Sequence, residues 1–301
     1  MQQREGTGGV LLPFCVCTLN FMTSDELPEI ESHGICRPGK VREDNQDAIR
    51  FCRPDDLTAK YGPLYGIADG MGGYSHGGVA SSLALDTFFD TFYKSNGVSL
   101  PQKLRLGVQN ANLGIFQTAQ RLGVPRMGTT LTAVNLVGKT LNIVHVGDSR
   151  AYLVRDNVAK CVTNDHTRVG EMVRMKMLSP EKVRAHAQRS VLNKCLGVEL
   201  FVQPDIFEVQ VREGDIIILC TDGVWSVVED AEFSLLATAC SGPEDLSRQI
   251  YELAMNRDSD DNLSVVALYI RRLPAGGPVD DTPPAWPMRL LRRLISRRGE
   301  S

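Results

Sequence analysis

Hydrophobic positions along the chain alternate between two styles. Short, nearly continuous apolar runs rich in β-branched residues predict strands at 64–68, 130–137, 141–146, 151–155, 216–220 and 263–270. Stretches whose apolar residues recur at three- and four-residue spacing predict helices at 78–93, 101–121, 168–176, 180–187, 229–240 and 243–256. Only Gly138-Lys139 and Gly147 to Arg150 separate the three strands between 130 and 155. Connections that short predict antiparallel neighbours, because a parallel crossover needs about a dozen residues or more. Strand blocks set apart from helix blocks predict an α+β fold of packed layers rather than a doubly wound parallel sheet.

This patterning places one folded unit at 29–272. Residues 1–28 form an N-terminal extension whose apolar run from Val10 to Met22 is broken by Pro13 and makes a poor secretory signal. Met22 is read as the true start, with residues 1–21 as translated upstream sequence. At 273–287, Pro274, Gly276, Gly277, Pro278, Pro283, Pro284 and Pro287 predict an extended linker. A basic amphipathic tail follows at 288–301. No apolar run reaches the ~18–20 residues of a membrane span, and a cytoplasmic protein is expected.

Composition adds little until it is resolved by position. The 301 residues are 43% hydrophobic and 23% charged, within the range of soluble globular proteins, and the net charge is −3. Residues 286–301 hold five arginines and one glutamate, a local +4 that leaves the body at −7. Neither value suits a protein that coats nucleic acid, so no specific nucleic-acid partner is expected. The tail interleaves Arg289, Arg292, Arg293, Arg297 and Arg298 with apolar residues from Trp286 to Ile295. That pattern suits a partner's groove, an anionic membrane surface or a solvated tail. Eight cysteines are too dilute for a disulfide scaffold and fit a reducing compartment.

The candidate chemistry lies in where the aspartates stand. Predicted strands end at Asp69-Gly70, at Asp222-Gly223 and at Gly147-Asp148, while Asp260-Asp261-Asn262 and Asn45-Gln46-Asp47 precede apolar runs. Singly, each pair is ordinary turn chemistry. Gathered together, such carboxylates repel one another and lose solvation unless a cation or hydrogen-bond donors compensate them. All-oxygen ligands without a His or Cys cluster favour Mg²⁺ or Mn²⁺ over Zn²⁺. Gly70, Gly72 and Gly73 let the backbone beside Asp69 approach an ion or phosphate closely. Arg42, five residues before Asp47, carries a guanidinium fork suited to phosphate.

Eight segments in order resemble the metal-dependent protein serine/threonine phosphatases of type 2C, in their bacterial form. They are Arg42 to Asp47, Asp69 to Gly73, Gly128 to Thr130, Val146 to Arg150, Thr163 to His166, Leu196-Gly197, Thr221 to Trp225 and Asp260 to Asn262. The resemblance implies a four-layer α-β-β-α sandwich of two mainly antiparallel sheets flanked by helix pairs. It implies two Mg²⁺ or Mn²⁺ ions held by Asp47, Asp69, Asp222 and Asp261, with Asp69 bridging both and the Gly70 carbonyl facing one. Asp148, with Asp222, would help form a third metal site, and Arg42 would hold the substrate phosphate. The implied reaction is hydrolysis of phosphoserine and phosphothreonine by direct attack of a water bridging the two ions. The implied partners are phosphoproteins, substrates of a eukaryotic-like Ser/Thr kinase, and the chain is expected to act as a monomer. The segment at about 166–189, with Met172, Met175 and Met177, matches the family's mobile flap; an amphipathic surface helix pair is the competing reading.

Two positions depart from the family pattern. Gln46 stands where many members carry Glu; an amide orients a water but adds no charge. Bacterial members usually carry a His directly after the Gly-Gly, a place taken here by Tyr74, and His76 follows two residues later. His76 is therefore either the general acid or a helix-start residue. Two rival functions remain. A pseudophosphatase would keep the fold as a binding platform. A cysteine-dependent phosphatase would use Cys36 and Arg42, which together fit the spacing of a thiolate loop.

Overall fold

The computed structural model describes residues 27–52, 58–72, 76–124 and 126–274. The expected start at Met22, the linker from residue 275, the tail at 288–301 and Tyr74 lie outside the described residues. The chain opens with strands β1 (Glu29–Arg37) and β2 (Asp47–Phe51), a helical turn α1 (Thr58–Tyr61) and strand β3 (Leu64–Met71). Two long helices follow, α2 (His76–Lys94) and α3 (Leu100–Leu122), then strands β4 (Gly128–Thr129), β5 (Leu131–Val137), β6 (Thr140–Val146), β7 (Arg150–Arg155) and β8 (Val158–Cys161). After the short helix α4 (Arg168–Arg174) come β9 (Asp205–Gln210), β10 (Ile216–Cys220), the single turn α5 (Asp222–Trp225), helices α6 (Asp230–Ala239) and α7 (Pro243–Asn256), and β11 (Leu263–Arg272).

Two antiparallel sheets result. One runs β1-β11-β10-β7-β8; the other runs β2-β3-β5-β6-β9, with β4 beside β3. Helix α2 packs on β2 and β3 with α3 outside it, while α7 packs on β1 and β11 and α6 on β7 and β8. Period-two alternation explains why the central strands read as unbroken apolar runs. Ile217 and Leu219 of β10, with Val266, Leu268 and Ile270 of β11, enter the core between the sheets. Their neighbours Ile216, Ile218, Cys220, Val265, Ala267 and Tyr269 pack under α6 and α7. Both faces are covered, so both are apolar.

The expected antiparallel neighbours are half right. The turn at Gly138, with φ of 57°, joins β5 to β6 as a hairpin. Strands β6 and β7, however, lie in different sheets. The reason is local: Gly147 turns at φ of 111° against Thr130, where an added Cβ would sit 2.5 Å from the Thr130 methyl. This bend carries the chain from one sheet to the other. The segment expected as a helix at 180–187 contains one 3₁₀ turn, Pro180–Lys182. Its Arg184 is turned instead toward the carbonyls of Trp225 (2.9 Å) and Val228 (3.2 Å), which removes the helix-pair reading of 166–189. Strands β1, β2, β4, β8 and β9 are not among the expected strands; at β9 the exposed Glu208 and Gln210 interrupt the apolar pattern. Leu273, the first residue of the expected linker, is buried, and its N–H donates to Glu213 Oε1 at 2.9 Å.

Candidate metal centre

The two sheets bring their acidic strand ends to one cleft of about 460 Å³. Asp47 opens β2 and stands in register opposite Asp69 of β3. From the other sheet, Asp222 follows β10 as the first residue of α5, and Asp261 precedes β11. Asp148 lies on the bend that crosses between the sheets. Asp69, Asp148, Asp222 and Asp261 line the cleft with Arg42, Gln46, Gly70, Thr130 and Asn262. Asp47 is buried, and its Oδ2 accepts a hydrogen bond from Thr221 Oγ1 at 2.9 Å.

Strand β3 continues past Asp69-Gly70 to Met71, so this dipeptide is not a turn. Thr129 and Thr130 hold it straight: Asp69 N donates to Thr130 Oγ1 at 2.9 Å, and Asp69 O accepts from Thr129 Oγ1 at 2.8 Å and Thr130 N at 2.9 Å. Asp222-Gly223 opens a helical turn rather than a hairpin. The crossing bend is clasped twice by His166, whose Nδ1 accepts from Gly147 N at 3.0 Å and whose N–H donates to Gly147 O at 2.7 Å. Trp225 Nε1 donates to Asp148 O at 2.8 Å, and the Arg150 guanidinium stacks 3.7 Å from the Trp225 ring. Arg150 in turn forks Asp165 through bonds of 3.0 and 2.7 Å. The Thr163 to His166 segment thus acts through position, holding the backbone that presents Asp148.

The electrostatics are those of acids forced together. Burial, joined by the charges of Asp222 and Asp261, pushes Asp47 up to about 7. Burial also raises Asp69, Asp148 and Asp222, with neighbouring aspartates adding to each. A cation fits this site on three counts. Asp222 Oδ1 is buried without a hydrogen-bond partner. Gly70 provides a close backbone cradle, since an added Cβ would lie 2.0 Å from Gly77 O and 2.6 Å from Gln46 O. The donors are carboxylate oxygens, as Mg²⁺ and Mn²⁺ prefer. Among the described residues no three His, Cys, Asp or Glu side chains are gathered around one point.

The sequence profile described as protein phosphatase 2C matches residues 40–253. The chain belongs to the protein phosphatase 2C family. It is 35% identical over 230 residues to the serine/threonine protein phosphatase PstP of Mycobacterium tuberculosis, an alignment covering 76% of this chain. The alignment covers 42% of PstP, so the chain spans less than half the length of that relative. The crystal structure of the Mycobacterium tuberculosis phosphatase PstP/Ppp superposes with a TM-score of 0.72 at 30% identity, covering 81% of this chain and 99% of that one. A PstP catalytic domain solved with two manganese ions superposes with a TM-score of 0.69 at 29% identity, covering 80% and 98%.

Around this cleft, the other predicted residues take definite places. Arg42 lines the cleft, and its Nη2 donates to Asp261 Oδ2 at 3.1 Å. Gln46 braces the glycine loop: its Nε2 donates to Gly72 O at 3.3 Å, and its carbonyl accepts from Gly70 N at 3.0 Å. His76 is the first residue of α2, beside Gly72 but not in the cleft lining. Cys36 lies in β1, with no helix after it; its thiol donates to Asp47 O at 3.4 Å. Burial and the Asp47 charge push that thiol up to about 11, the opposite of what a nucleophilic thiolate needs. The cysteine-dependent reading is therefore corrected. Sequence reasoning assigned no role to Asn262 or Thr221. Asn262 Oδ1 accepts from Gln46 N and its Nδ2 donates to Asp44 O, both at 2.9 Å, joining the two sheets' loops. An Asn between an acid pair and a buried strand was the available signal.

Proposed function

We propose that this chain hydrolyses phosphoserine and phosphothreonine on proteins in a metal-dependent reaction. The observation that carries the reading is the set of aspartates, drawn from both sheets, gathered at one cleft with Arg42 on its lip. The names of its relatives support the same reading. Asp47, Asp69, Asp222 and Asp261 would hold two Mg²⁺ or Mn²⁺ ions beside Gly70, and Asp148 with Asp222 a third. Two such ions supply Lewis acidity at the phosphoryl oxygen and activate a water for direct attack. The chain's own residues do the positioning. Arg42 exchanges Asp261 for the substrate phosphate and orients it, and Gln46 holds the glycine loop that shapes the floor.

His76 is proposed as general acid for the leaving oxygen. Its test compares leaving groups: His76→Ala should lose phosphopeptide turnover while sparing aryl phosphates, and equal loss on both removes the assignment. The segment at 166–189 is proposed as the flap, with Arg184 pinning its base. The chain would act as a monomer in the cytoplasm on substrates of a eukaryotic-like Ser/Thr kinase. Among the described residues no helix is long and apolar enough to cross a membrane. The basic tail would contact a partner or an anionic membrane, which liposome co-sedimentation of the full chain against a chain ending at Pro274 decides.

The deciding experiment is release of phosphate from a phosphothreonine peptide in Mn²⁺, with and without EDTA, for wild type and Asp222→Asn. Activity in wild type that EDTA and the substitution both abolish supports the reading. A wild type inert in both metals favours the binding platform.

A further inference from the structure

The loop between β1 and β2 carries two acids that the metal chemistry does not use. Glu43 and Asp44 are exposed and line the cleft directly beside Arg42. The loop is not free to turn them away: Asn262 grips Asp44 O and Gln46 N at 2.9 Å each, on either side of Asn45. Nearby cations are already engaged, Lys40 with Asp258 at 2.5 Å and Arg42 with Asp261 at 3.1 Å. Among the described residues neither Glu43 nor Asp44 has an ion pair or a side-chain hydrogen bond.

We propose that Glu43 and Asp44 make the site selective for phosphorylated segments with Lys or Arg within two residues of the phosphorylated Ser or Thr. The proposal rests on the phosphatase reading above. Two dications would balance the four aspartates proposed as their ligands, so those acids present little net charge to a substrate's flanks. The phosphate itself takes the charge of Arg42. What the flanks then meet is the lip, with Glu43 and Asp44 uncompensated next to the phosphate position. A residue one or two places from the phosphorylated one puts its side chain within about two residue lengths, roughly 7 Å, of that position. At this range in partly aqueous surroundings an opposite charge is attracted and a like charge repelled, and salt screens both.

The experiment uses the full-length protein in Mn²⁺ and three phosphothreonine peptides whose flanks are Arg, Ala or Glu on either side. The readout is the ratio of kcat/KM for the Arg peptide to that for the Glu peptide within each enzyme, which cancels changes in absolute turnover. Wild type should favour the Arg peptide about threefold to tenfold at low ionic strength, through KM, with the preference shrinking at high salt. Glu43→Lys/Asp44→Lys should invert the ratio. Glu199→Lys/Glu208→Lys, which makes the same charge change outside the cleft lining, should leave it standing. A ratio near one in wild type, or a preference that survives reversal of Glu43 and Asp44, overturns the proposal. If wild type cleaves none of the peptides, the phosphatase reading fails instead. Fluorescence anisotropy of the same peptides in Mn²⁺ then decides whether the lip discriminates: equal affinities for the Arg and Glu peptides overturn the proposal too.

Discussion

Asp47→Asn separates the two sides of the site's electrostatics, because the same carboxyl should cost stability without metal and be required with it. Asp47 is buried opposite Asp69, and burial with the charges of Asp222 and Asp261 lifts it from 3.8 to about 7. A group whose folded value is raised binds more protons folded than unfolded between those two values. Stability is therefore fully retained below 3.8 and falls as pH rises toward about 7. At about 1.4 kcal/mol per pH unit, metal-free protein should lose about 3 kcal/mol between about pH 5 and about pH 7 from this carboxyl alone. Against a total stability on the order of 5–15 kcal/mol, that loss is readily measured. In the variant the Thr221 hydroxyl still has an amide oxygen to donate to, so the substitution removes the charge and keeps the contact. Urea unfolding in EDTA should show the two proteins alike near pH 4 and Asp47→Asn more stable by a few kcal/mol near pH 7.5. Adding Mn²⁺ should stabilise wild type more than the variant. A wild-type curve flat between about pH 5 and pH 7, or a variant less stable at pH 7.5 in EDTA, would refute the reasoning.

Two other perturbations test the frame around the ring. Gly70→Ala places a Cβ 2.0 Å from Gly77 O and 2.6 Å from Gln46 O, both backbone atoms. It should cost about 1–3 kcal/mol by urea unfolding and reduce Mn²⁺-dependent turnover at least about tenfold. Arg150→Ala leaves Asp165 buried without its fork and removes the stack on Trp225. A loss of about 3–5 kcal/mol is expected by the same assay; a change under about 1 kcal/mol would show that the Arg150–Asp165 pair does not support the Asp148 bend.

The sequence made the central strands legible because both faces of β10 and β11 are covered, so burial wrote itself as unbroken apolar runs. It hid β9, where Asp205, Glu208 and Gln210 interrupt the apolar residues along a strand less deeply buried than its neighbours. It also hid the passage of β6 and β7 into different sheets, since three residues around Gly147 could as well close a hairpin. Helix 180–187 was misjudged because periodicity does not show that Arg184 has carbonyls of α5 and the loop after it to bind. For the site, the acids were visible at the ends of apolar runs and Arg42 as a guanidinium shortly before Asp47, whereas Asn262 and Thr221 were not. Their function is to bridge segments about 174 to 218 residues apart, a relation that spacing cannot express.

That bridging explains how the ring holds together. Asp47 and Asp69 belong to one sheet and Asp222 and Asp261 to the other, so mutual repulsion acts across the seam between the sheets. At this seam the structure places neutral hydrogen bonds: Thr221 to Asp47, and Asn262 to Gln46 and Asp44. Beneath it, Val266 and Leu268 of one sheet share a core with Ile67 and Ala133 of the other. Burial, with the neighbouring charges adding to it, raises the proton affinity of Asp47, Asp69 and Asp222. On the proposed reading, a dication would displace protons from these three acids. Weakening Asn262 should therefore lower Mn²⁺ affinity without touching any of the proposed metal ligands, which places the organising force of this cleft in its uncharged side chains.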